Sequence, residues 1–290
     1  MTAVGDQSGV DHGDGTAFFK VSGAGNDFIA LVEPPRAPGP DEIRAWCRRG
    51  LSLGADGVFT LTRNARGARM VHYNADGGRS DLCLNASRCA ARLVFHLGWQ
   101  EADLELTTDV GVLRARIDGG RVALELPAIL GEPEARALEV GSAVYEGWWL
   151  RVGVEHFVLP WPESLSRAPV AELGPKLRSH PGLGPQGANV NFVRFPSSTQ
   201  LEIRTFERGV EGETLACGTG VVAAAVAGVA AGRLEVPVTV LTSGGFDLTV
   251  DGETEAGRLR RAMLAGDARI VARGRLLGEA EAVASAPEWS

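Results

Sequence analysis

The sequence predicts an α+β fold of two pseudo-symmetric domains from an internal duplication, each a curved, mostly antiparallel sheet wrapped around a central helix. Three observations carry this. A cysteine-led segment occurs twice, Cys83–Gly98 and Cys217–Gly232, at an offset of 134 residues. Short β-rich runs precede each copy in the same order. Both copies read as helices that stop at a glycine, the residue that best tolerates the left-handed cap. Leu104–Gly111 (LELTTDVG) and Val238–Gly245 (VTVLTSGG) extend the match at the same offset. Two repeats are too few for a solenoid and indicate a duplicated domain.

In chain order, residues 1–16 are rich in Gly and Asp without an apolar run, and read as a disordered tail. The first half, residues 17–130, carries β-rich runs at Phe18–Val21, Ile29–Val32, Val58–Thr62 and Ala68–Tyr73. Asp41–Arg49 has a helical pattern, and Asn85–Leu97 forms the central helix. The second half, residues 131–274, repeats the plan. Its β-rich runs are Trp148–Val152, Phe157–Leu159, Asn191–Arg194 and Leu201–Phe206, ahead of the helix Gly218–Ala231. That helix is apolar almost all round, as expected of one enclosed by sheet. Gly25–Ile29 (GNDFI) and Val154–Val158 (VEHFV) match near the start of each half. The boundary is expected near the Pro/Glu/Ala-rich stretch Leu130–Leu138, with residues 275–290 completing the first half.

Composition excludes several classes. The 290 residues carry a formal charge of −7, with no Lys/Arg run and no RNA-binding aromatic motif, so no nucleic-acid partner is expected. The most apolar stretch, Val221–Ala231, is shorter than the ~20 residues needed to span a bilayer. No signal segment is apparent, and a cytoplasmic protein is expected. No metal site is expected from the Cys and His spacing. Gly23–Phe28 (GAGNDF) lacks the third glycine of a dinucleotide fingerprint, and no cofactor is expected.

The chemistry points to the cysteines. Cys47 and Cys89 fall inside helical patterns and read as small core residues. Cys83 and Cys217 occupy equivalent positions at helix starts, where free N–H groups favour a thiolate and can receive a carboxylate. Two such thiols facing each other suit removal of an α-proton from one face of an amino acid and its return to the other.

The motifs resemble the diaminopimelate epimerase family from about Phe18 to Gly274. The blocks are Phe19–Phe28 (FKVSGAGNDF), Gly54–Gly57 (GADG), Tyr73–Gly77 (YNADG), Asn189–Val193 (NVNFV) and Phe206–Gly220 (FERGVEGETLACGTG). The resemblance implies that Cys83 and Cys217 are the catalytic acid and base, converting LL-2,6-diaminopimelate to its meso form in lysine biosynthesis without a cofactor. It also implies substrate contacts at Asn26, Asn74, Asn189, Glu207 and Arg208, with N–H groups from Leu84–Asn85 and Gly218–Thr219. His156 and Glu207 match positions that tune the thiols, and a homodimer is implied. The chain departs from the family pattern in three places. Leu84-Asn85-Ala86 stands for Gly-Asn-Gly, Gly78-Arg79 for Ser-Glu, and Gly153-Val154-Glu155-His156 for Gly-Asn-Pro-His. A racemase of another amino acid on the same scaffold, or a non-catalytic amino-acid-binding homologue, are the alternatives.

Overall fold

The computed structural model describes residues 15–126 and 131–282. The first half runs β1 (Thr16–Gly23), β2 (Asn26–Val32), α1 (Pro40–Cys47), β3 (Gly57–Asn64), β4 (Gly67–Asn74), β5 (Arg79–Ser80), α2 (Leu84–His96), β6 (Asp103–Thr108), β7 (Gly111–Asp118) and β8 (Arg121–Glu125). After β9 (Glu134–Val140), the second half runs β10 (Ala143–Val152), β11 (Val154–Pro160), α3 (Val170–Arg178), β12 (Asn189–Ser197), β13 (Gln200–Glu207), β14 (Gly212–Thr214), α4 (Gly218–Ala230), β15 (Val238–Thr242), β16 (Asp247–Glu255) and β17 (Arg258–Asp267). β18 (Arg269–Leu276) and the short α5 (Glu279–Ala282) follow.

The strand pairing repeats between halves. β2 and β3 pair in parallel, as do β11 and β12. β4 and β6 pair in parallel, as do β13 and β15. The remaining ladders are antiparallel, so the α+β duplication expected from the sequence is the observed architecture. The halves join where β8 pairs antiparallel with β17. β18 returns to pair with β1 from Thr16–Leu276 to Ser22–Arg269. We therefore propose that 269–276 belong to the first half. Of the expected tail, residues 1–14 lie outside the described residues, while Thr16 already sits in a ladder. Residues 127–130 of the expected boundary, and 283–290 of the expected C-terminal completion, also lie outside them.

The ladders align the halves differently from the motif likeness near their starts. Ile29 faces Val58, and Phe157 faces Val190. Val58 in turn faces Tyr73, and Val190 faces Phe206. Glu155 is thus the counterpart of Asp27, one residue off the match of GNDFI with VEHFV. Backbone pairing fixes equivalence here, and the shared phenylalanine misleads.

The central helices show how local sequence sets the fold. α4 buries Gly218 and every residue from Gly220 to Val229. Burying Val221, Val222, Val226 and Val229 contributes on the order of 1.5–3 kcal/mol each. α2 packs into the same continuous core through Ala86, Ala90, Leu93 and Val94. Both helices end alike: Gly98 and Gly232 have φ of 67° and 66°. The next amides, of Trp99 and Arg233, donate back to Val94 O and Gly228 O at 3.2 and 2.8 Å, the closure a left-handed glycine permits. α1 and α3 cover the outer faces of the two sheets over separate small cores. Among the described residues, no helix is long and apolar enough to cross a membrane.

Candidate active site

Cys83 and Cys217 are the N-cap residues of α2 and α4, with extended backbones (φ −131°, ψ 108° and φ −105°, ψ 107°) and no side-chain cap bond. Each thiol therefore lies at the mouth of its helix, within reach of first-turn amides. The two helix starts touch. A Cβ on Gly218 would lie 2.9 Å from Leu84 Cβ, and these two positions are equivalent in the repeat. Only one of them can carry a side chain at this spacing. Asn85 crosses the same junction, donating from Nδ2 to Ala216 O at 3.0 Å and to Asn26 Oδ1 at 2.6 Å.

Burial dominates the thiols' proton affinity. It pushes Cys83 up to about 11, against amide donation from Ala86 and Asn85. Cys217 is raised further, by burial and by the Glu207 carboxylate, against Thr219 and the Gly220 amide. The sequence expectation that a helix start favours the thiolate is therefore outweighed by burial, because the N–H groups offset only part of the lost hydration. Cys47 is pushed up to about 12 by burial, and Cys89 is also raised by burial; both sit in the core.

On the second-half side the expected residues gather around Cys217. Asn189 points Nδ2 at Cys217 Sγ (4.0 Å) and accepts the Arg208 amide on Oδ1 (2.8 Å). Thr219 Oγ1 lies 3.5 Å from the same sulfur. Glu207 accepts from Thr214 Oγ1 at 2.9 Å, and its carboxyl is raised by burial against donors that include Cys217. Arg208 pairs with Glu155 rather than with its neighbour Glu207: Nη1 to Oε2 is 3.0 Å. His156 is bonded to Asn191, Nδ1 to Nδ2 at 3.2 Å, and Asn191 Oδ1 accepts from Thr205 at 3.0 Å. Asn191 in turn fills the space a Cβ on Gly220 would need. His156 thus reaches the first turn of α4 through Asn191.

On the first-half side, Asn26 is tied down by Asp56, with Nδ2 to Oδ2 at 3.0 Å. Asp56 also takes the Asp27 amide at 3.1 Å and Arg49 at 2.8 Å. Asn74 ends β4 as Glu207 ends β13, but is exposed. Leu84 is buried at the helix junction. Sequence reasoning missed Glu155, Asp56, Asn191 and Arg88. Asp56 was within the GADG block, whose acid offered a signal. Arg88, wholly buried, donates Nη2 to Asn85 Oδ1 at 2.9 Å; a helical arginine carries no sequence mark of burial.

Two buried histidines give the fold an acid limit. Burial lowers His72 to about 4. It lowers His156 to about 3, with the Arg208 charge adding to the effect. The unfolded chain takes up these protons near pH 6.5, the folded chain only at the lower values. Stability is therefore full above about pH 6.5 and declines as pH falls toward 4 and 3. Between pH 6.5 and 5 the expected loss is about 2 kcal/mol per histidine. Urea unfolding at pH 7, 6 and 5 checks this; a flat profile contradicts it, and His72→Phe should remove roughly one proton from the slope.

Comparison with known proteins adds the following. The sequence model of the family described as Diaminopimelate epimerase matches residues 148–271. The diaminopimelate epimerase of Aquifex aeolicus is 34% identical, over 90% of this chain and 98% of its own. That of Gemmatimonas aurantiaca is 37% identical, over 90% and 99%. A solved phenazine biosynthesis protein of the PhzF family from Enterococcus faecalis has a TM-score of 0.67 at 17% identity, covering 91% of this chain and 100% of that one. At that identity the likeness speaks to the fold alone.

Proposed function

The chain belongs to the diaminopimelate epimerase family and is a cofactor-independent isomerase, and from that premise we propose that it epimerises LL-2,6-diaminopimelate to the meso form by moving the α-proton between Cys83 and Cys217. The observation that carries this reading is the junction of the two helices. Equivalent cysteines cap them, and their first residues, Leu84 and Gly218, are in contact.

The chemistry follows from that placement. At rest burial keeps both groups as thiols. A substrate ammonium entering between them lowers the affinity of a neighbouring thiol for its proton, which passes to solvent water as the substrate binds, so binding leaves one thiolate as the base and one thiol as the acid. The thiolate takes the α-proton from one face, and the electron pair spreads into the α-carboxylate. N–H groups at the two helix starts, from Leu84–Asn85 and Gly218–Thr219, stabilise that charge. The opposed thiol then delivers a proton to the other face, and reversal exchanges the roles. Asn26, Asn74, Asn189, Glu207 and Arg208 are the proposed substrate contacts. Glu207 tunes Cys217 directly, and His156 supports the α4 start through Asn191. The proposal extends to a homodimer, as the family resemblance implies.

Incubating the protein with LL-diaminopimelate in heavy water tests the substrate. The expected result is meso product carrying one deuterium at the inverted carbon, with no cofactor added. Leu84 and Val154 favour a second reading, a racemase of a different amino acid, because both replace residues of the family pattern with apolar side chains. Turnover of another amino acid, with diaminopimelate left unchanged, would select it.

A further inference from the structure

Glu155 and Arg208 form a pair whose setting differs from the surface ion pairs of the protein. Their side chains are only 21% and 23% exposed. Arg208 is fixed from behind, its amide held by Asn189 Oδ1 at 2.8 Å. Asn189 also points at Cys217 Sγ, so the order outward from that thiol is Asn189, Arg208, Glu155. The pair is not saturated. Among the described residues only Nη1 of the guanidinium is engaged, by Glu155 Oε2 at 3.0 Å and Gln186 O at 3.2 Å. Nε and Nη2 are left to donate. Among the described residues, Glu155 Oε1 is paired only with Arg151 Nε, at 4.0 Å, on an exposed side chain. The adjoining Val154 offers no polar side-chain atom.

We propose that Glu155 and Arg208 together receive the distal zwitterion of the substrate, the ammonium on Glu155 and the carboxylate on Arg208; this rests on the diaminopimelate reading above. An isolated arginine in this place would select a distal carboxylate and ignore the rest of that centre. A half-buried ammonium, however, must exchange water for an acceptor or lose affinity. Val154 cannot be that acceptor, and Glu155 can. The four charges then alternate around a ring, so each has two opposite neighbours and the protein's own pair need not break. Glu155 is in this account a specificity residue that touches substrate away from the reacting carbon.

The test compares α-proton exchange in heavy water by wild type and Glu155→Gln on two substrates. LL-diaminopimelate carries the distal ammonium, and L-2-aminopimelate lacks it. Loss of a charge-assisted contact should lower kcat/KM for diaminopimelate about 10- to 100-fold, mainly through KM. Exchange of 2-aminopimelate should change by no more than about twofold, which also shows that the variant is folded. An equal fall on both substrates overturns the proposal and makes Glu155 a structural partner of Arg208. Faster turnover of diaminopimelate by the variant overturns it too, since Glu155 would then compete with the substrate for Arg208. Wild type inactive on both substrates refutes the diaminopimelate reading itself, and this inference falls with it.

Discussion

Cys217→Ala is expected to lower epimerisation of diaminopimelate at least about a thousandfold, and Cys83→Ala to do the same. The proposed reaction has no spare acid or base, since one thiol must remove the proton while the other supplies its replacement. Because the two act as a unit, the double variant should be hardly worse than either single one. The fold should survive, because what each thiol gives its helix is confined to weak sulfur contacts with first-turn amides, those of Ala86 and Asn85 for Cys83 and that of Gly220 for Cys217. Unchanged melting, with activity lost, is the expected combination. Chiral chromatography of the product pool measures it, and more than a tenth of the activity in either single variant would remove that cysteine from the mechanism.

Asn85→Leu is expected to destabilise the protein by about 3–5 kcal/mol and to cost roughly a hundredfold in kcat/KM. Asn85 is 3% exposed and satisfies three groups at once: Asn26 Oδ1, Ala216 O and the Arg88 guanidinium. Arg88 is the most vulnerable of these. It is wholly buried, burial pulls its proton affinity below the usual arginine range, and its Nη1 already lacks a hydrogen-bond partner among the described residues. Its remaining contact is Nε to Asp267 O at 3.4 Å. A leucine of similar size fills the space but orphans the charge, and breaking a buried polar contact from one side costs more than the contact contributes. The kinetic effect follows because Asn85 ties α2 to Ala216, the residue before Cys217. A fall in melting temperature of about 10 °C is expected; a shift below about 2 °C would show that the junction does not depend on this side chain.

Much of the fold was legible because duplication writes each element twice. The central helices and their glycine stops stand out by offset alone, and the alternation of β4, which buries Ala68, Met70 and His72, is visible in the run Ala68–Tyr73 itself. α3 was not. Pro175 lies inside it, and proline in a helix reads as a break. Packing wins here, as Val170, Leu173 and Leu177 are buried over the sheet, and Gly174 lies where a Cβ would strike Phe206. At the site, the cysteines were legible from position and their surroundings were not. Glu155 meets Arg208 across 53 residues of chain, and no local pattern joins β11 to the end of β13. The rise that burial imposes on the thiols' proton affinity was not legible for a related reason: sequence reveals a helix start but not how much water reaches it.

The contact of Leu84 with Gly218 places the pseudo-two-fold axis between the helix starts. A symmetric dimer of half-length chains would present every group twice, and could not treat one end of a ligand differently from the other. Joining the halves in one chain lifts that constraint. At the helix starts the copies have kept cysteine opposite cysteine, although the residues in contact there, Leu84 and Gly218, already differ. Away from the axis they have parted: Asn189, Glu207 and Arg208 on one side correspond through the ladders to Gly57, Asn74 and Ala75 on the other. Covalent fusion thus allows inheritance to be divided by role, with sameness kept in the two cysteines that the proposed reaction would use in both directions and difference accumulated where a molecule must be told head from tail.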